Sequence, residues 1–241
     1  MAQSFFTWNG IDCRSKGVIM RGPAAIVRAE ERVKHVEIPG RAGDLTETEG
    51  EDIYNSYIQT VTISVKGAQN VRDIYRWLRG AGYVTFSGEP DRRQKARVIG
   101  AITLNRVSRN IDHWAGEVQF YCQPFKEKLR SEIITVTSTG TRVYNRGDVN
   151  ARPVWRVTAS GSTFKLMAVG TGTYGTELTV GSTSGHVYMI DSETMEIIDE
   201  TGGQSATKNS TGPFPIIAPG GNLINGTGWS KVEIEMRERF L

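Results

Sequence analysis

The sequence predicts a mainly β protein. An antiparallel sheet or split barrel carrying one packed helix spans residues 1–129, and an all-β sandwich spans 130–241. Three observations carry this. From Ile53 the chain reads as strand and ends, up to Lys66, in clean alternation, with Val61, Ile63 and Val65 on one face and Thr62, Ser64 and Lys66 on the other. A single convincing helical period follows, at Val71, Ile74, Tyr75 and Leu78. Beyond residue 130, Thr, Ser and Gly become dense, short apolar runs alternate with turn signals, and no useful helical period appears.

Taken in order, Phe5, Phe6 and Trp8 before Asn9-Gly10 predict an opening strand and a tight hairpin. Val18–Met20 and Ile26–Val27 read as further short strands, separated by Gly22-Pro23. Val33–Ile38 reads as a weakly patterned strand, followed by an acidic, glycine-punctuated loop through Asp44, Glu47, Glu49, Glu51 and Asp52. Asn70 is the expected helix cap, Asp73 suits the first turn, and Gly80 and Gly82 end the helix. Tyr83–Phe86 and Lys95–Ile99 read as strands around a turn at residues 88–91. Trp114, Gly116, Val118, Phe120 and Cys122 then share one face of a strand that should stop at Pro124. In the second half strands are expected at residues 133–137, 154–159, 164–169, 177–180, 186–191, 195–199 and 229–240, with turns at Ser160-Gly161 and Gly202-Gly203.

Composition bounds the function. The 241 residues suffice for one large or two medium cores, and no run approaches the roughly 18 apolar residues of a membrane span. No signal peptide is read at the N-terminus. Two cysteines, Cys13 and Cys122, without CxxC spacing point to buried reduced thiols and not to a disulfide framework or a zinc site. The net charge of +3 is uneven: residues 1–129 carry 19 basic and 15 acidic side chains, the remainder 10 and 11. That asymmetry suggests two units with different surfaces and is too small for a dedicated nucleic-acid binder.

The motifs exclude more than they support. Gly170-x-Gly172-x-x-Gly175 spells the dinucleotide fingerprint, but the residues after it read as strand and loop where a helix N-terminus is required. His35, His113 and His186 are far apart, with no metal-ligand spacing. The carboxylates at 47, 49, 51 and 52 could supply an acid and a base for glycan hydrolysis, yet no apolar neighbour is present to raise a pKa. They fit a solvated or partner-facing surface better. The basic cluster Arg92, Arg93, Lys95 and Arg97 lacks interleaved aromatics for nucleic acid and suits a solvated strand edge or an inter-subunit ion-pair surface. Tyr174, Tyr188 and Trp229 are candidates for sugar stacking, while Trp155 alternates with Val157 and Ala159 as a core residue would. No cofactor is implied.

The order of several motifs resembles a known family. The aromatic strand with its Asn-Gly turn precedes Ile38-Pro39-Gly40-Arg41-Ala42-Gly43-Asp44-Leu45 and Tyr54-Asn55-Ser56-Tyr57-Ile58. Tyr75-Arg76-Trp77-Leu78 and Phe120-Tyr121-Cys122-Gln123-Pro124-Phe125 follow. In the second half come Tyr144-Asn145-Arg146-Gly147, Pro153-Val154, Met189-Ile190-Asp191 and Pro219-Gly220-Gly221-Asn222-Leu223-Ile224. Together these resemble the distal tail proteins of long-tailed, non-contractile bacteriophages. One departure stands out: the stretch Asp44–Asp52 is longer and more acidic than the family's glycine-aspartate loop.

The resemblance implies a virion protein of the tail tip, assembled in the host cytoplasm, without enzymatic activity or membrane insertion. Its N-terminal domains would form a hexameric ring between the tail-tube protein and the tip hub protein, with a lumen for DNA in transit. Its second domain would be a galectin-like sandwich that in some members holds a receptor-binding protein. A carbohydrate-binding adhesion module is the alternative reading, and glycan degradation through the acidic loop ranks below it. Within the first reading the acidic stretch becomes an arm. Arg41, Glu47, Glu49, Glu51 and Asp52, and with them Arg92 and Arg93, are the expected interface residues.

Overall fold

The computed structural model describes residues 4–170 and 177–241. They form two compact units, Met1–Leu129 with Leu241 and Arg130–Phe240.

The first unit contains β1 (Phe6–Trp8), β2 (Ile11–Asp12), β3 (Val18–Met20), β4 (Val33–Val36), β5 (Leu45–Thr48) and β6 (Tyr57–Lys66). The helix α1 (Ala68–Trp77), β7 (Ala81–Phe86), β8 (Arg92–Ser108) and β9 (Ile111–Lys128) follow. A curled, antiparallel half-barrel sheet runs in the order β2-β1-β7-β8-β9-β6-β3. Asn9 and Gly10 both take positive φ (52° and 78°), the twist that a two-residue hairpin needs between β1 and β2. Phe6, Trp8, Ile63 and Phe120 point into one core, where the rings of Phe6 and Trp8 pack 5.6 and 5.5 Å from Phe120. Burying an aliphatic side chain such as Ile63 there contributes about 1.5–3 kcal/mol.

Several expectations shift in detail. Ile26–Val27 lies outside any strand, with Ile26 exposed. The acidic loop is not all loop: Leu45–Thr48 turns back as β5 and pairs with β4, Lys34 opposite Glu47. The helix begins at Ala68 after Gly67, and Asn70 lies inside it, its Nδ2 donating to the Lys66 carbonyl. The cap comes instead from a distant residue, because Asp112 Oδ2 accepts the Ala68 N–H at 3.2 Å. Tyr75 is exposed; the buried stripe is Ile74 and Leu78, with Val71 and Trp77 packed beside them and Trp77 stacked on Phe6 at 5.7 Å.

Pro124 does not end its strand. Gln94 pairs with Lys126 and Ala96 with Cys122, so Gln123–Phe125 bulge out of the ladder and the missing proline N–H costs no ladder bond. A second bulge lies on the facing strand, between Ile99 and Thr103. There Gly116 is needed, since a Cβ would sit 1.9 Å from the Thr103 carbonyl oxygen.

The second unit is a sandwich. Its strands are β10 (Ile133–Val136), β11 (Thr141–Asn145), β12 (Val154–Ala159), β13 (Thr163–Gly170), β14 (Glu177–Gly181) and β15 (Val187–Asp191). They continue with β16 (Glu196–Asp199), β17 (Gln204–Ser205), β18 (Ser210–Thr211), β19 (Gly220–Thr227) and β20 (Trp229–Glu235). One sheet is ordered β10-β20-β12-β15-β16-β17 and the other β11-β19-β13-β14-β18. Their inner faces meet through Trp155, Phe164, Leu166, Ile190, Ile197, Ile224 and Ile234, all fully buried. Strand β20 ends at Glu235, short of the expected Phe240. β11 and β19 were not expected; GGNLINGT, the sequence of β19, lacks strand-forming composition. The glycines answer a packing demand, for a Cβ on Gly226 would lie 2.0 Å from the Lys165 carbonyl oxygen.

Candidate interaction surface

The acidic stretch forms a two-stranded ribbon. Backbone bonds from Arg32 N to Ile53 O (2.9 Å) and from Asn55 N to Glu30 O (2.7 Å) clamp its base, and Arg32 Nε donates to Asn55 Oδ1 at 3.1 Å. Tyr54 anchors the base edge-to-face on Phe125, at 5.7 Å. Above it, β4 and β5 pair only with one another. Gly40 and Gly43 take positive φ in the connection, consistent with the Pro39-Gly40 break. Every residue from Glu37 to Glu51 is exposed, and Ile38 and Leu45 are among the exposed large apolar side chains. An isolated two-stranded ribbon is marginally stable in water, and both of its edges present unpaired backbone groups.

Of the sequence-predicted residues, Arg41, Glu47, Glu49 and Glu51 lie exposed on this ribbon or at its foot; Asp52 is half-buried at the foot with φ 58°. Glu49 has a long, exposed contact with Arg32, at 3.7 Å. Such a pair contributes little and leaves the ribbon's charge available to a partner.

Arg92 and Arg93 are not part of this surface. Glu89 receives Arg92 Nη1 on one oxygen and buried Lys126 Nζ on the other, each at 2.8 Å. Arg93 reaches Glu127 at 3.4 Å and lies over the Tyr83 ring, 4.4 Å from its centroid. Both arginines therefore spend their charge within their own unit.

Of the sugar-stacking candidates, two are described. Tyr188 is 3% exposed, its ring against Phe164 and its hydroxyl oxygen accepting from Thr183 N, so it offers no stacking face. Trp229 is half-buried on the sandwich core and donates Nε1–H to the Lys165 carbonyl. Tyr174 and the dinucleotide-like glycines Gly172 and Gly175 lie outside the described residues. Trp155 is fully buried and donates to Ser192 Oγ.

Sequence reasoning missed several side-chain partnerships, two of them in the second unit. His186 Nδ1 lies 2.8 Å from Asp199 Oδ2, and the Arg237 guanidinium is forked on Asp191, both bonds at 3.0 Å. Burial pushes the Asp191 carboxyl up, but Arg237 and the N–H groups of Glu193 and Thr194 outweigh it and hold the group below its usual range. The partners are far apart in sequence, so no spacing announces them. Cys13 and Cys122 are buried free thiols; burial pushes Cys122 up to about 12. Among the described residues no group of three His, Cys, Asp or Glu is placed to hold a metal ion, and no helix is long and apolar enough to cross a membrane.

These features define a class of chain: a helix-backed half-barrel followed by a β-sandwich, with an unpartnered ribbon on the first. No protein-family model matches the sequence, and no curated protein matches it. The fold is similar to that of Dit (gp 19.1) of phage SPP1, described as a paradigm of the hub adsorption apparatus in phages infecting Gram-positive bacteria. The TM-score is 0.80 over 100% of both chains, at 17% identity, a likeness of fold. A chain of the phage p2 baseplate in its activated conformation aligns over 98% of this chain and 97% of its own, at TM-score 0.49 and 7% identity, too loosely to support an inference.

Proposed function

We propose that the chain is a structural subunit of a phage tail tip. Six copies close a ring through residues 1–129, joining the tail-tube protein to the tip hub protein around a lumen that DNA traverses. Residues 130–241 form the peripheral, galectin-like domain, available to a receptor-binding protein. The protein acts in the virion after assembly in the host cytoplasm, and it performs no catalysis.

The observation that carries this reading is the end-to-end fold likeness to SPP1 Dit, both units included. The ribbon supports it, because a structure marginal in isolation becomes favourable when a neighbour pairs with it. A repeated heterologous contact of that kind closes into a ring when its rotation fits. Against the carbohydrate-binding alternative, Tyr188, one of its stacking candidates, is buried.

Light scattering on the purified protein, alone and with its tail-tube and hub proteins, tests the proposal. A hexamer, or smaller species that co-assemble with those partners, is expected. A strict monomer that joins neither partner and binds wall glycans overturns it.

A further inference from the structure

We infer that the acidic ribbon of one copy docks into a basic groove of the next, between α1 and the short 3-10 turn at Cys13–Lys16. The inference rests on the proposed ring only in needing a second copy.

The ribbon is out of character with its unit. Residues 37–52 hold six carboxylates and one arginine, whereas the rest of residues 1–129 holds 18 basic and nine acidic side chains. The complement of the acidic segment is therefore the remainder of the same unit. Every residue from Glu37 to Glu51 is exposed, and the 3.7 Å contact of Glu49 with Arg32 is itself solvent-exposed, so most of the segment's charge stays open to solvent.

The complement has a receptacle. An open groove of about 620 Å³ runs between the 3-10 turn and α1, with Ser15 and Lys16 on one wall and Asn70, Asp73, Arg76 and Trp77 on the other. Lys16 and Arg76 thus bring cations from two elements to one concavity. The single acid in the groove, Asp73, already meets Arg76 at 3.4 Å in a well-exposed pair that contributes little. Carboxylates at Glu47 and Glu51 supply negative charge for Lys16 and Arg76. Opposite charges steer such an encounter and fix which surface faces which.

The test exchanges the charges. Two variants are made, one with Glu47→Lys and Glu51→Lys, the other with Lys16→Glu and Arg76→Glu. All four positions are exposed, so both variants should keep the wild-type circular dichroism and melting midpoint. Self-association is measured by light scattering and sedimentation at low salt. Each variant alone should associate at least about tenfold more weakly than wild type. An equimolar mixture should regain association, since the lysines at 47 and 51 then face the glutamates at 16 and 76, and the native Glu47 and Glu51 face the native Lys16 and Arg76. Variants that associate like wild type overturn the groove and leave the ring reading standing, as does a mixture no better than its parts. A wild-type chain that never self-associates also overturns it, and the ring reading is then judged by co-assembly with the tail-tube and hub proteins.

Discussion

At the scale of single residues, the informative positions are those whose role depends on a partner far away in sequence. Asp112 caps α1 from β9 and also accepts the Trp114 indole N–H at 2.9 Å. Gln94 joins the Tyr57 hydroxyl to the Gln123 carbonyl within the bulge that accommodates Pro124. Asp191 gives a measurable consequence. Its carboxyl is held below the ordinary value of 3.8, so the folded state binds its proton less readily than the unfolded chain does. The stabilisation is therefore fully present above about pH 4 and is lost as pH falls through the depressed value. Asp191→Asn should destabilise the protein by about 1 kcal/mol at pH 7, the Arg237 partner being more than a third exposed. It should also flatten the acid limb: the gap between the denaturant midpoints of wild type and variant should narrow as pH falls from 6 to 2.5. A gap that keeps its full size at pH 2.5 would mean that the pair's contribution is not electrostatic.

At the scale of elements, the ribbon and the helix contrast. Helix α1 is fixed by its buried stripe: Ile74 and Leu78 belong to the first unit's core cluster, so the helix cannot leave without opening that core. No residue of β4 or β5 belongs to that cluster, and their pairing touches no strand of the half-barrel. Deleting Thr46–Gly50 removes most of β5 yet no core side chain. The melting midpoint should stay near that of wild type, with stability within about 1 kcal/mol, while self-association is lost. A deletion variant that unfolds the first unit would make the ribbon core structure and end the docking reading. The helical period and the alternation of β6 and β9 were legible in sequence because a side chain every 3.6 or 2 residues needs no knowledge of the partner. The bulge at Pro124, the strand inside the acidic stretch and the glycine-rich β19 were not, because each follows from what the opposing strand presents.

At the scale of the molecule, charge distribution links the two readings. The formal charge is only +3, but the first unit divides into an acidic ribbon and a basic remainder. Charge-guided association of this kind weakens as salt shortens the screening length, from about 10 Å at 0.1 M to about 3 Å at 1 M. Self-association of the wild-type chain should fall steadily between those concentrations, whereas the Thr46–Gly50 deletion should show no such dependence. Association that strengthens with salt would point to apolar contacts, such as the exposed Ile38 and Leu45, as the main cohesion.

Sequence alone determined the mainly β class, the single helix, the sandwich strands with clean alternation and the unusual acidity of residues 44–52. Each of these is written in local periodicity or composition. Only the tertiary structure decided that the acidic stretch folds back as a ribbon, that Arg92 shares Glu89 with Lys126, that Tyr188 is buried, and that Lys16 and Arg76 flank one groove. Those outcomes depend on pairing residues tens of positions apart, and the register that brings them together is set by the packing of whole faces.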